Sequence, residues 1–102
     1  MLKDFQNASS TIKVNITPEF ARHVLSNHNA DNYRKMKPDQ VRLITRDVME
    51  NRYTLSPQPI SFTGAMTVQD GEIILTKDNQ LLDGQHRLKA CDEANKPIPA
   101  TV

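Results

Sequence analysis

Six prolines, at positions 18, 38, 57, 59, 97 and 99, punctuate this 102-residue chain more firmly than any other residue type. Proline fixes φ and lacks an amide hydrogen, so it can open a helix or border a strand but breaks the interior of either. Thr17-Pro18-Glu19 therefore reads as a helix start, with Thr17 as the cap and Glu19 at the positive end of the dipole. Phe20, Val24 and Leu25 share one face, which carries this helix to about Asn27. Pro38-Asp39 opens a second helix, with Val41, Ile44 and Val48 on one face and Arg42, Arg46 and Glu50 on another; it should end near Asn51 or Arg52. Pro57 and Pro59 exclude helix and leave a short strand over 59–62. Asn95-Lys96-Pro97 stops a third helix, after which residues 98–102 return as a strand.

Between these marks the patterns are shorter. Thr11-Ile12-Lys13-Val14-Asn15-Ile16 alternates with period two, as a strand with one buried face does. Residues 27–37 are rich in turn formers and read as a loop, and residues 64–71 read as a polar loop with a little strand at 66–68. The runs 72–76 and 80–82 flank Lys77-Asp78-Asn79 and predict a hairpin turning there. The sum is one α+β domain over 11–102, a small mixed sheet with three helices, preceded by an N-terminal extension at 1–10. Because the chain stops inside an expected strand, either an edge strand closes the domain or the sequence is a piece of a longer protein.

Composition narrows the function classes. Thirteen basic against twelve acidic residues is not the balance of a protein that grips duplex DNA through many phosphates, so a nucleic-acid role needs a local patch. Cys91 is the sole cysteine, which excludes an intramolecular disulfide and a cysteine-based metal cluster and points to a reducing cytoplasm. Residues 1–10 lack the apolar run of a signal peptide, and no stretch reaches membrane-spanning length. A hydrophobic fraction of 37% with no tryptophan leaves a thin core, which suits a chain supported by a partner, a second copy of itself included. The densest basic region is Arg34, Lys35, Lys37, Arg42, Arg46 and Arg52, flanked by Tyr33 and Tyr53; folded together, these side chains would meet phosphates or an acidic surface.

The chemistry concentrates in Leu82-Asp83-Gly84-Gln85-His86-Arg87-Leu88, a strand that ends on a tight turn and opens directly into the third helix. Gly84 lets the backbone approach a ligand, and the unpaired amides of a first helical turn, with the dipole behind them, favour an anion. Arg87 can fork onto two phosphate oxygens, with a salt bridge to Asp83 as its alternative. His86 can contact a phosphate, act as a general acid or serve structurally. Asp83 can bind a metal or hold the turn, and the turn role is the commoner one. His23 and His28, five apart and without a carboxylate cluster, read as surface residues rather than zinc ligands.

The order helix, proline-bearing strand, turn, Gly-led helix and Ile-Pro strand resembles the ParB/sulfiredoxin fold over roughly residues 16–102. Ser56-Pro57-Gln58-Pro59-Ile60 resembles the Gln-Pro-Ile strand entry of ParB-type domains. Asp83-Gly84-Gln85-His86-Arg87 stands at their Gly-Glu-Arg-Arg box and spells the box of DGQHR-type proteins of phages, plasmids and DNA-modification islands. Residues 95–102 resemble their closing Ile-Pro strand, and residues 27–34 their first box. The resemblance implies a nucleoside triphosphate with Mg²⁺ held by Gly84, Gln85, His86 and Arg87, with Asn32 or Arg34 closing over it, in work on DNA. It also admits a nuclease or NTPase using Asp83 and His86, and a mobile-element inhibitor of a host defence or DNA-handling protein. Sulfiredoxins carry a cysteine where Gln85 stands, and a carboxamide cannot act as their thiolate nucleophile. Cys91, about one turn past Arg87, reads as buried packing.

Overall fold

The computed structural model describes residues 12–29, 35–64 and 66–102, which form three helices and three two-stranded antiparallel sheets. Strand β1 (Lys13–Ile16) alternates exposed and buried residues and pairs with β6 (Ile98–Thr101), Val14 opposite Ala100 and Ile16 opposite Ile98. Helix α1 (Pro18–Asn27) starts at Thr17, whose hydroxyl accepts the Phe20 amide at 3.1 Å, and buries Ala21 and Val24. Helix α2 (Pro38–Met49) follows Lys37 and buries Val41 and Val48. Helix α3 (Gln85–Ala94) ends on Asn95 in the left-handed conformation, as an Asn at a helix C-terminus tolerates. It packs against both α1 and α2.

The core lies where α3 meets the β1–β6 ribbon. Leu88 and Cys91 of α3 are fully buried there with Ile16, Val24, Ile98 and Ile60. Burial, reinforced by the neighbouring Asp92 carboxylate, pushes the Cys91 thiol up to about 11, and its Sγ lies 3.1 Å from the Lys96 carbonyl. It is a protonated packing group and no nucleophile near neutral pH. Among the described residues no helix is long and apolar enough to cross a membrane.

The α+β class and the three helices match the sequence, whereas the strands divide into three ribbons, every pairing antiparallel. The expected hairpin at Lys77-Asp78-Asn79 is not the one that forms. Strand β4 (Glu72–Ile74) pairs backwards with β3 (Thr67–Gln69), and β5 (Leu81–Asp83) pairs with β2 (Ser61–Phe62). The turn is Asp70-Gly71, with φ of 54° and 79°, the two left-handed residues that a two-residue hairpin loop demands. Asn79 is instead a buried junction: its side chain accepts the Thr76 amide at 2.8 Å and donates to the Thr63 carbonyl at 2.6 Å, steering the chain into β5. The N-terminal extension expected at 1–10 falls outside the described residues.

Candidate functional site

Gly84 caps α3 at φ 114°, a conformation that a side chain would strain. The constraint is also spatial: a Cβ there would stand 2.9 Å from Cγ1 of Ile60, itself 1% exposed. The Gln58-Pro59-Ile60 segment and the Asp83-Gly84-Gln85-His86-Arg87 turn, 25 residues apart in sequence, are thus packed on one another. Arg87 fastens the same contact, since its Nη1 donates to the Gln58 carbonyl at 2.6 Å and its Nη2 to the Pro59 carbonyl at 3.3 Å. Beside it, the buried Tyr53 hydroxyl faces the Arg87 guanidinium; burial holds its acidity below that of a free phenol, though the Arg87 charge works the other way. Arg87, the foremost anion candidate in the sequence, is spent on the protein's own backbone.

The opposite side of the turn is open. A cavity of about 420 Å³ is lined by Lys35, Lys37, Gln40, Leu82, Gly84, Gln85 and His86. Lys37 is the N-cap of α2 and Gln40 lies in its first turn, so the N-termini of α2 and α3 border one hollow. Neither helix receives a cap from the side chain at its N-cap position. Both dipoles therefore present their positive ends there, with two lysines added and, among the described residues, no carboxylate in the lining.

His86 joins the two helix starts. The Lys37 amide donates to its Nε2 at 2.9 Å, so a neutral His86 carries its proton on Nδ1. Burial, with the Lys37 charge, holds the imidazole below its ordinary value, in keeping with that neutral role. Gln85 is buried, and its Oε1 accepts from the Asn29 side chain at 3.4 Å; the Asn29 Oδ1 is buried without a partner among the described residues. Asp83 lies on β5 opposite Ser61 and is not part of the cavity lining. The structure thus brings Gly84, Gln85 and His86 together and turns Arg87 away from them, while Asn32 and Arg34 fall outside the described residues.

The basic region seen in the sequence separates into parts. Lys35 and Lys37 reach the cavity, Arg42 pairs with Asp39 and, like Arg46, lines a different hollow on α2, and Arg52 pairs with Glu50 at 2.8 Å. The two lysines thus belong to the turn and not to the patch expected from the sequence; their position just before a proline-led helix is the signal that places them there. His28 likewise departs from its expected surface position. That residue is 4% exposed, not superficial, because its Nδ1 lies 2.8 Å from the Asn79 carbonyl and its own carbonyl accepts the Leu81 amide at 2.6 Å. Comparison with family models, curated proteins and solved structures finds no match to this chain.

Proposed function

We propose that the hollow between the starts of α2 and α3 binds a phosphate group of a nucleotide or nucleic acid, in a ParB/sulfiredoxin-like domain that acts on DNA or on a DNA-handling complex. The observation that carries this reading is the meeting of two helix N-termini with Lys35 and Lys37 in a cavity whose lining, among the described residues, holds no carboxylate. First-turn amides and ammonium groups supply the two complements that a phosphate requires, directed hydrogen bonds and charge. The family assignment is supported by the element order, α2, a Gln58-Pro59-Ile60 entry to β2, β5, a Gly84-led α3 and an Ile98-Pro99 strand.

Each residue then has a defined task. Gly84 brings the backbone close, the amides that follow it face the phosphate oxygens, and Lys35 and Lys37 neutralise charge. His86 holds α2 against α3, while Arg87 holds the Gln58–Pro59 segment behind the turn. Among the described residues the cavity lining offers lysines and no carboxylate, so charge neutralisation falls to Lys35 and Lys37. Recognition rather than hydrolysis is what this constellation supports.

Inorganic triphosphate, CTP and ATP should each be titrated while melting temperature is followed. Triphosphate should raise the melting temperature, less so as salt is added, and the Lys35→Ala/Lys37→Ala double variant should lose the shift. Removing the Lys37 side chain spares the backbone amide that His86 accepts, so the variant remains folded. No shift with any of the three ligands would falsify the proposal.

A further inference from the structure

The two histidines at the end of α1 form a constellation that phosphate binding does not use. His23 Nε2 lies 3.3 Å from His28 Nε2, with ring centroids 5.1 Å apart and planes inclined at 57°. A straight N–H···N hydrogen bond of that length would hold the centroids about 5.6 Å apart. Two imidazole nitrogens on one tetrahedral ion, each about 2.05 Å from it, stand about 3.3 Å apart with their rings splayed, which carries the centroids to about 5.2 Å. Both separations therefore suit two lone pairs converging on a point off the line between the nitrogens.

The surroundings of His28 point the same way. Its ring is buried and its Nδ1 sits 2.8 Å from the Asn79 carbonyl, so Nδ1 carries the proton and Nε2 presents its lone pair towards His23. A backbone carbonyl on the far nitrogen fixes tautomer and ring direction, as it does for metal-bound imidazoles generally. Asn79 is itself held by Thr76 and Thr63, so this anchor is rigid. His23 is exposed, and its Nδ1 is 3.2 Å from the Asn27 carboxamide. Without metal, Asn27 donates to His23 Nδ1 and the proton on His23 Nε2 faces His28. With metal, that proton resides on Nδ1, and the carboxamide gives up its 3.0 Å bond to the His23 carbonyl to turn its oxygen towards it. Neutral imidazole is retained throughout, and no proton is gained or lost by the pair.

We propose that His23 and His28 are a two-histidine site for a borderline-soft divalent cation of the Zn²⁺, Ni²⁺ or Cu²⁺ class. Among the described residues no third His, Cys, Asp or Glu joins them, which leaves coordination positions for water or a further donor. The site joins the end of α1 to the 76–79 turn, and the His28 carbonyl leads directly into β5 through the Leu81 amide.

The test is calorimetric titration of the untagged chain with ZnCl₂ and NiCl₂, with MgCl₂ as the contrast, together with nitrogen-15 spectra of the histidine rings. Expected are saturable one-to-one binding of Zn²⁺ and Ni²⁺, no binding of Mg²⁺, and coordination shifts at Nε2 of both His23 and His28. His23→Ala, exposed and therefore safe for folding, should weaken Zn²⁺ by at least about tenfold while the metal-free melting temperature holds. Because His28 is buried, His28→Gln is judged by ring spectra of His23 and by circular dichroism, and a folded His28→Gln chain that leaves His23 unshifted by Zn²⁺ also supports the site. Zn²⁺ binding of equal strength in His23→Ala, or saturation without a shift at either Nε2, overturns it.

Discussion

At the start of α1 the Thr17 hydroxyl takes the Phe20 amide, whereas at the start of α3 the capping position is Gly84, which has no side chain to offer, and at α2 Lys37 makes no side-chain cap. Helices α1 and α2 each carry an acid in the first turn, Glu19 and Asp39, the latter paired with Arg42, while α3 has none. Helix α1 is thereby closed on itself, and the other two leave their positive ends facing a lysine-lined hollow. The difference teaches that capping and anion binding compete for the same amides: a start completed internally has none to lend.

Substitution at the three starts breaks or sharpens that contrast. Gly84→Ala should have the largest effect, about 3 kcal/mol of lost stability in thermal or urea unfolding, because it adds backbone strain to a clash with a buried isoleucine. A loss below about 0.5 kcal/mol, the range of an ordinary surface change, would mean that Gly84 serves only ligand approach. Arg87→Ala should cost about 2 kcal/mol by freeing the Gln58 and Pro59 carbonyls, yet leave triphosphate binding to the folded fraction in place. Loss of binding with unchanged stability would make Arg87 a ligand contact rather than a brace behind the turn. Thr17→Ala should cost about 1 kcal/mol in the same unfolding measurements and leave triphosphate binding at the α2–α3 hollow unchanged.

The smallest effect is one of pH. The folded His86 value lies below the ordinary imidazole value, so as pH falls the unfolded chain takes up this proton first. The contribution of the Lys37–His86 bond is thus full above about pH 6.5, wanes as pH falls below that, and levels off once pH is under the lowered folded value. Comparing melting temperatures of wild type and His86→Ala from pH 8 to pH 5 should show the gap narrowing towards acid. A gap that widens towards acid would mean that the imidazolium is the folded form.

What was legible in the sequence follows from how local its cause is. Pro18 and Pro38 mark both helix starts because the ring acts on its own backbone, and Gly84 marks the turn for a similar reason. The β3–β4 hairpin went unread because Val68 is the only apolar residue of Thr67–Gln69, too little for a period to register, although Asp70-Gly71 was the stronger turn signal. The cavity was half legible. Its glycine-led side is a motif, whereas Lys35 and Lys37 enter it only because α2 docks on α3, a contact some fifty residues long in sequence. The burial of His28 likewise depends on Asn79, fifty-one positions away, and nothing beside His28 announces it.

The register of the first ribbon bears on how the molecule is made. Lys13 pairs with Thr101 and Ile16 with Ile98, while the Ile60 amide also donates to the Thr101 carbonyl at 2.8 Å. A ribosome delivers residues 13–16 first and 98–101 long afterwards, so the buried face of Val14 and Ile16 waits for almost the whole of this stretch of chain to emerge. Helices α1 and α2 can form during that interval, but the core cannot seal, and the nascent chain carries an unpaired apolar strand throughout. Chaperone engagement during synthesis should accordingly be keyed to residues 12–16 and end when 98–101 clear the exit tunnel.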